Sequence, residues 1–220
     1  MYRYLRHFGL LTLLTFTSAM TTHAALINPS DSIENLDLRW GKNESNFLQA
    51  FDESQHVALQ HNQVNVDYLV GQNLDVGSQF RGVNRSNSQL TLSAGKYSSH
   101  LIHFDPNGTK SGSFHNARFS FKDNIVAIIL GGEYLNASDV ILGVSTTRYE
   151  KSTSRKMETG DRFFLENSHT LMIDKVGVGR YWVDDVRVIT ESVPEPGSWA
   201  LFGMGLICLI GARKVASKQN

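Results

Sequence analysis

Apolar and polar residues alternate along much of the middle of this chain, which is the pattern of half-buried β-strands. Val64 to Val70 and Leu90 to Leu92 follow this alternation, and Tyr97 to Phe104 forms the next candidate strand. Ile125 to Leu130 is apolar at every position, and it therefore predicts a central strand that is buried on both faces. These segments together predict a fold built mainly from sheets.

The remaining elements complete an all-β prediction. Arg162 to Leu165 and Thr170 to Ile173 flank a short polar turn and predict a hairpin, and Tyr181 to Ile189 predicts the closing strand. Short strands with turn residues between them, and no long helical period, predict a single antiparallel β-sandwich with jelly-roll-like connections. Only Asn46 to Gln55 and Leu135 to Val140 predict short helices.

The C-terminal end follows a different pattern from the body of the chain. Two prolines two residues apart hold the segment around Glu195 extended, because proline fixes φ and lacks an N–H group. An apolar run follows, for which we predict a transmembrane helix over residues 198–212. A tryptophan at one interface and a basic cluster at the other predict a cytoplasmic C-terminus. The positions that define this tail are Pro194, Glu195, Pro196, Trp199, Arg213 and Lys214.

The order of these features resembles the PEP-CTERM sorting signal, a tail also labelled an ice-binding-protein C-terminal domain. That label describes the sorting segment and is no evidence of ice binding. The resemblance implies an exosortase, a membrane-embedded thiol transpeptidase, that cleaves near the Pro-Glu-Pro motif and releases or transfers the domain. It also implies transit through the inner membrane to the cell surface or the extracellular matrix of a bacterium, where such proteins belong to biofilm. The alternatives are an ordinary tail anchor and a buried C-terminal helix.

The N-terminal end predicts a signal peptide over residues 1–24. Two arginines precede the apolar stretch Phe8 to Phe16, and Ala24 offers the small residue that signal peptidase reads. Cleavage after Ala24 makes Ala25 the first mature residue, and the ectodomain is expected outside the cytoplasm. The predicted organisation is a signal peptide at 1–24, a β-sandwich ectodomain at 25–192 and a sorting segment at 193–218.

Composition narrows the function of the body. The formal net charge is +0, with both signs interspersed, so there is no electrostatic case for nucleic acid as a partner. The single cysteine, Cys208, lies in the predicted tail helix. The predicted ectodomain therefore has neither a disulfide nor a thiolate zinc site.

A second resemblance covers the body. Five segments are similar to those of a group of exported PEP-CTERM proteins of uncharacterised function, in which an Arg-Gly-Leu-Glu element is usual. Here Arg155-Lys156-Met157-Glu158 stands in its place, which puts the role of that loop in doubt. The end of the body also resembles the closing strands of galactose-binding-type and carbohydrate-binding sandwiches. The five segments are Ser99 to Pro106, Ile125 to Leu130, Tyr134 to Gly143, Thr147 to Tyr149 and Asp185 to Thr190.

Histidines and aspartates give two weak candidates for metal binding. His100 and His103 fall on opposite faces of a strand, so they are not joint ligands. His103 and Asp105 share a face, and with His115 they form one possible three-ligand site. We favour a structural interpretation over this metal site, in which the histidine is held by the aspartate beside the turn.

The adjacent acids at the closing strand are the second candidate. Asp184 and Asp185 point to opposite faces, which rules out a paired-carboxylate acid/base couple. One of the two is expected to accept hydrogen bonds from loop amides, and calcium is the weaker alternative. We therefore predict no catalytic residue, no metal and no cofactor in the body.

The expected function is that of an exported, non-enzymatic surface or matrix protein. The partners are signal peptidase, an exosortase, the inner membrane during transit and, in one reading, exopolysaccharide. The alternative is a carbohydrate-binding module that stacks sugars on exposed aromatic rings. The aromatic residues that this alternative would use are Tyr68, Tyr97, Tyr134, Tyr149, Tyr181 and Trp182.

Overall fold

The computed structural model describes residues 34–83, 89–108, 111–152, 155–179 and 182–191. The predicted signal peptide with Ala24 and Ala25, and the predicted tail from residue 193 onward, lie outside these ranges. Within them, no helix combines the length and the apolar character that crossing a membrane requires.

The described residues form fourteen strands and one helix, an all-β fold as predicted. The strands are β1 (Asp37–Leu38), β2 (Gln49–Asp52), β3 (Val57–Leu59), β4 (Asn65–Val66), β5 (Tyr68–Leu69), β6 (Gln79–Arg81), β7 (Leu90–Thr91), β8 (Gly95–Phe104), β9 (Gly112–Ser120), β10 (Asn124–Ile129), β11 (Arg148–Tyr149), β12 (Arg162–Asn167), β13 (Thr170–Val178) and β14 (Asp184–Glu191), with helix α1 (Gly132–Leu142) between β10 and β11.

Two antiparallel sheets make up most of the structure. The six-stranded sheet has the order β2-β8-β14-β10-β5, with β3 also paired to β8. The four-stranded sheet has the order β6-β12-β13-β9. A parallel pair, β1 and β11, and an antiparallel pair, β4 and β7, flank them. The last strand, β14, therefore lies in the middle of the larger sheet.

The two large sheets pack face to face through one apolar core. The six-stranded sheet contributes Ile102 and Val186 to this core, and the four-stranded sheet contributes Phe163 and Ile173. All four side chains are fully buried. Because side chains alternate along a strand, the neighbouring residues of β8 and β14 face away from this core, toward helix α1. We call these the inner and the outer face of the six-stranded sheet.

Most predicted elements are found near their predicted bounds. Tyr97 to Phe104 lies within β8, Ile125 to Leu130 overlaps β10 in the sheet interior, and the hairpin is formed by β12 and β13. The predicted helix at Leu135 to Val140 is confirmed as part of the longer α1. The jelly-roll-like connection stays a prediction.

The prediction of a helix over Asn46 to Gln55 is wrong, because Gln49–Asp52 forms strand β2. This strand pairs with the edge of β8, from Gln49 opposite His103 to Asp52 opposite His100. Alternation then turns Ala50 into the inner core and Phe51 into a cluster with Leu101 on the outer face. A free sheet edge thus overrides the weak local preference of the segment.

Asp67 compensates for a helix start that has no side-chain cap. The N-cap residue of α1 is Gly131, whose lack of a side chain leaves backbone N–H groups to be satisfied from elsewhere. Asp67 Oδ2 accepts hydrogen bonds from the N–H groups of Leu130 and Gly131, both at 2.8 Å. The carboxylate is almost fully buried and joins the β4–β5 region to the start of the helix.

We predict that Asp67→Ala lowers the free energy of unfolding by about 2–4 kcal/mol, because two buried N–H groups lose their acceptor. Asp75→Ala removes an exposed carboxylate nearby and should change it by no more than about 0.5 kcal/mol. Urea denaturation followed by circular dichroism measures both values. Equal losses in the two variants would contradict this role of Asp67.

Candidate functional site

Strand β14 carries charged residues on both faces, and each face gives them a different environment. Asp184 and Asp185 pair with Phe104 and His103 of β8 and point to opposite sides, as alternation predicts. Asp185 and Arg187 lie on the outer face beneath helix α1. All three charged side chains are fully buried. A buried charge is costly unless it is paired or hydrogen-bonded, so we describe the hydrogen-bond and ion-pair partners on each face in turn.

The outer face holds what we call the arginine network, formed by Glu53, Asp139, Arg155, Asp185 and Arg187. Arg187 donates to both carboxylate oxygens of Glu53 at 2.7 Å, and from Nη2 to Asp139 Oδ1 at 2.8 Å. Its Nη1 donates to Ser138 Oγ and to the Leu135 carbonyl of helix α1. Arg187 therefore joins the segment after β2, the helix and the central strand.

Arg155 extends the arginine network toward β8. Its Nη1 donates to Asp139 Oδ2 at 2.6 Å, and its Nε donates to Asp185 Oδ2 at 2.7 Å. The second oxygen of Asp185 lies 2.7 Å from His103 Nδ1. Both guanidinium groups also lie over the Tyr149 ring, at 5.4 Å for Arg155 and 5.7 Å for Arg187. Asp139 thus bridges two arginines from opposite sides.

The arginine network shifts the pKa values of its acids. Burial opposes the ionisation of Glu53, but the charge and hydrogen bonds of Arg187 outweigh it and lower the pKa of Glu53. In the same way burial opposes the ionisation of Asp185, and the Arg155 and His103 contacts lower its pKa. At Asp139 burial prevails, and its pKa is raised despite both arginines. Glu53 and Asp185 are therefore held ionised.

The segments that carry the second resemblance meet in this network. Ser99 donates to Glu53 Oε2 at 2.6 Å, and the Tyr149 hydroxyl donates to Glu53 Oε1 at 2.8 Å. Asp139 belongs to a third segment and Arg187 to a fourth. The blocks separated along the chain thus share one packing role, which is to fix helix α1 on the outer face.

The inner face ends in what we call the acidic cluster, formed by Glu158, Asp161 and Asp184. Each offers a carboxylate oxygen, and these oxygens all lie within 4.8 Å of one another. Asp161 is positioned by backbone donors, because its oxygens accept from the N–H groups of Glu158 at 2.7 Å and Gly177 at 3.0 Å. Loop and strand residues distant in sequence are therefore brought to one point.

Asp184 is the unusual member of the acidic cluster. It has no exposed surface, and neither of its oxygens has a hydrogen-bond partner among the described residues. Burial, and then the nearby charges of Glu158 and Asp161, raise the pKa of Asp184 well above its ordinary value. A buried carboxylate without donors is costly, so this position requires either a proton or a positive ion.

A cavity of about 320 Å³ opens beside the acidic cluster. We call it the Trp182 cavity, because the Trp182 side chain lines it and is 42% exposed. Glu158 and Asp161 line the cavity from one side, and Lys175 is the basic residue in its wall. The cavity therefore combines an exposed indole with acidic groups, the kind of surface to which a polar ligand binds.

The predicted three-ligand site of His103, Asp105 and His115 is not assembled. His103 is buried on the outer face of the six-stranded sheet, whereas His115 is exposed on β9 of the other sheet. The aspartate that holds His103 is Asp185 rather than the expected Asp105, whose Oδ2 accepts a hydrogen bond from the Gly41 N–H at 2.8 Å. His100 contacts Asp52 and Thr190 instead. Among the described residues, only the acidic cluster groups three metal-ligating side chains.

The predicted aromatic surface is also not formed as a set. Tyr97 and Tyr149 are buried in the clusters of the outer face, where their pKa values are raised by burial. Tyr68 donates to the Arg81 carbonyl and is half-buried. Tyr181 lies outside the described residues. Tyr134 is partly buried against the same outer cluster as Tyr97. Among the members of that set that the structure describes, Trp182 is therefore the exposed one.

Sequence reasoning missed Glu158 and Asp161 as candidate site residues. Their only local signal is two acids around Gly160, which is common in surface turns. Their proximity to Asp184 arises from the path of β12, β13 and β14, and no spacing along the chain encodes it. Glu158 is also the last residue of the Arg155-Lys156-Met157-Glu158 segment. The first residue of this segment belongs to the arginine network, and the last belongs to the acidic cluster.

Comparison with known proteins identifies the C-terminal segment. Residues 192–214 match the model of the PEP-CTERM protein-sorting motif, which confirms the resemblance seen at Pro194 to Pro196. The chain therefore carries a PEP-CTERM sorting motif at its C-terminal end, and this motif implies export with an exosortase as the processing partner. No curated protein and no solved structure matches the chain.

We predict that Glu53→Gln lowers the free energy of unfolding by about 3–5 kcal/mol at pH 7, because Arg187 loses a buried ionic partner. The folded-state pKa of Glu53 lies below its ordinary value of 4.5, so its stabilising effect is present above that pH and is lost below it. The difference from the wild type should therefore shrink as the pH falls below 4.5.

Urea denaturation between pH 7 and pH 3 measures this pH dependence. The matched control is Glu166→Gln, which breaks an exposed ion pair with Arg118 and should cost no more than about 1 kcal/mol. A difference between Glu53→Gln and wild type that stays constant over the whole range would show that the Glu53 charge is not what stabilises the fold.

Proposed function

We propose that this chain is an exported surface protein without catalytic activity, which an exosortase detaches from the inner membrane after folding. The observation that carries the proposal is the sorting motif at 192–214, which begins one residue after β14 ends at Glu191. Signal peptidase acts after Ala24, the ectodomain folds outside the cytoplasm, and the tail holds it at the membrane until cleavage.

The chemistry of the tail fits this sequence of events. The sequence predicts that Pro194 and Pro196 keep Glu195 extended, and proteases bind extended segments in their clefts. Under the proposal, Trp199 anchors one end of the predicted helix at 198–212 at the outer interface, and Arg213 and Lys214 hold the other end in the cytoplasm. The depth of the helix then sets the height at which the motif emerges from the membrane.

We expect the surface-extracted protein to begin at Ala25 and to lack the segment from Trp199 to Asn220. Intact-mass analysis measures both ends. Glu195→Ala should leave the full tail in place and the protein in the inner-membrane fraction, whereas Glu191→Ala, outside the matched motif, should be processed normally. A mature form that retains Trp199 to Asn220 would identify the segment as an ordinary anchor and refute the sorting role.

A second candidate function is carbohydrate binding at the Trp182 cavity. The supporting observation is that Trp182 is exposed beside acidic side chains that can accept hydrogen bonds from sugar hydroxyls. The indole of Trp182 offers a flat apolar face on which a sugar ring can stack. This candidate specifies the ligand class and leaves the sorting proposal unchanged.

Under this candidate, the full chain binds polysaccharide on a glycan array, and Trp182→Ala weakens that binding at least about tenfold. Trp40→Ala is the matched control, because Trp40 is also exposed, at 36%, but does not line the Trp182 cavity. Both variants should keep the wild-type melting temperature within a few degrees. Equal binding by the wild type and Trp182→Ala would reject carbohydrate binding at this cavity.

A further inference from the structure

The carboxylates of the acidic cluster lie close together, and one of them, Asp184, has no hydrogen-bond donor among the described residues. Asp184 is fully buried at the start of β14, while Glu158 and Asp161 approach it from the loop before β12. No ion pair joins Asp184 to a basic side chain among the described residues, and neither of its oxygens accepts a hydrogen bond there. This contrasts with Asp185, its neighbour, which has two charged or polar partners within 2.7 Å.

The nearest positive charges do not neutralise the acidic cluster. Lys175 lowers the pKa of Asp161, and Lys156 lowers that of Glu158, but burial prevails in both cases and the two pKa values are raised. The neighbouring charges that act on Asp184 are those of Glu158, Asp161 and Asp185, and all three raise its pKa. An ion at the centre of the acidic cluster would contact all three groups at once.

The spacing and the chemistry of the acidic cluster favour one kind of ion. Oxygen ligands on opposite sides of Ca²⁺ lie about 4.6–5.2 Å apart, because each Ca–O distance is about 2.3–2.6 Å. The ligand oxygens here lie within 4.8 Å of one another. The cluster contains neither histidine nor cysteine, which zinc and other transition metals prefer.

The surroundings of the acidic cluster can supply the further oxygen ligands that three carboxylates alone do not provide. Ca²⁺ takes about 6–8 oxygen ligands, so several must come from water or backbone. Glu158 and Asp161 line the Trp182 cavity, which has room for such waters. Asp161 is already fixed by the backbone N–H groups of Glu158 and Gly177, so it is oriented before an ion arrives.

We propose that Glu158, Asp161 and Asp184 bind one Ca²⁺ ion, which fixes the loop before β12 to the start of β14. The proposal departs from the expectation that the body holds no metal. The choice of calcium over magnesium also draws on the proposed export, since extracellular calcium modules bind with dissociation constants of about 10⁻⁴–10⁻³ M.

The direct test is calcium titration of the full chain, purified in mild detergent and freed of metal with EDTA. Isothermal titration calorimetry should find one site with a dissociation constant of about 10⁻⁴–10⁻³ M. At about 10 mM CaCl₂ the melting temperature should rise by about 3–10 °C, and EDTA should reverse the rise. The same concentration of MgCl₂ should give a clearly smaller rise.

Asp184→Asn separates a ligand from a merely structural acid. It should abolish both the heat of binding and the calcium-dependent rise, yet melt in EDTA at or above the wild-type temperature, because an unpaired buried charge is removed. Glu158→Gln provides a second variant with weakened calcium binding. Glu191→Gln, an exposed acid at the other end of β14, should bind calcium like the wild type.

The absence of binding heat and of any calcium-dependent rise in the wild type would overturn the proposal. Calcium binding that survives in Asp184→Asn would overturn it too, and so would an equal response to magnesium. The readout is independent of the sorting proposal, because a protein that keeps its tail uncut still contains all three carboxylates. Failure of processing and failure of calcium binding are therefore separate results.

Discussion

A buried arginine is the constraint on which the rest of this structure depends. Arg187 lies on the central strand β14 without exposed surface, and a guanidinium stays charged at any pH the protein meets. Its donors must therefore find acceptors inside the fold. Those acceptors come from Glu53, after strand β2, and from helix α1, so the position of both elements follows from one charge. Leu135 and Leu142 of the helix also pack into an apolar cluster on the outer face.

The two faces of β14 have different roles, because the outer face stabilises the fold and the inner face leads to a cavity. On the outer face, the carboxylate of Asp185 and the guanidinium of Arg187 are each held by several buried hydrogen-bond partners. On the inner face, Asp184 has no hydrogen-bond partner among the described residues and lies beside groups that line the Trp182 cavity. Buried charges with several partners rigidify a core, whereas a buried carboxylate without any partner persists only where something else offsets its cost. The sheet thus carries a rigid support and a candidate ligand site back to back.

Strand content was predictable here because period-two alternation indicates burial on one face, and the continuous apolar run from Ile125 to Leu130 indicated a strand buried on both faces. The sorting motif was recognisable from two prolines followed by an apolar run and basic residues, and residues 192–214 match that motif. Strand β2 was not, since its pairing depends on a free edge of β8 that no local pattern encodes. Nor was the acidic cluster, because Glu158 and Asp184 meet only through the turns of three later strands. Features that depend on neighbouring residues can be predicted from the sequence. The meeting of polar groups that are distant in sequence can be seen only once the strand topology is known.

The central position of β14 has a consequence for the order of events during export. Strands β8 and β10 do not pair with each other, and β14 fills the gap between them. A chain that crosses a membrane from its N-terminus delivers β14 last, so the larger sheet stays open at its middle until delivery is nearly complete. The same strand leads directly into the sorting segment. If the chain is exported as proposed, the larger sheet can therefore close only when the sorting segment is also being delivered.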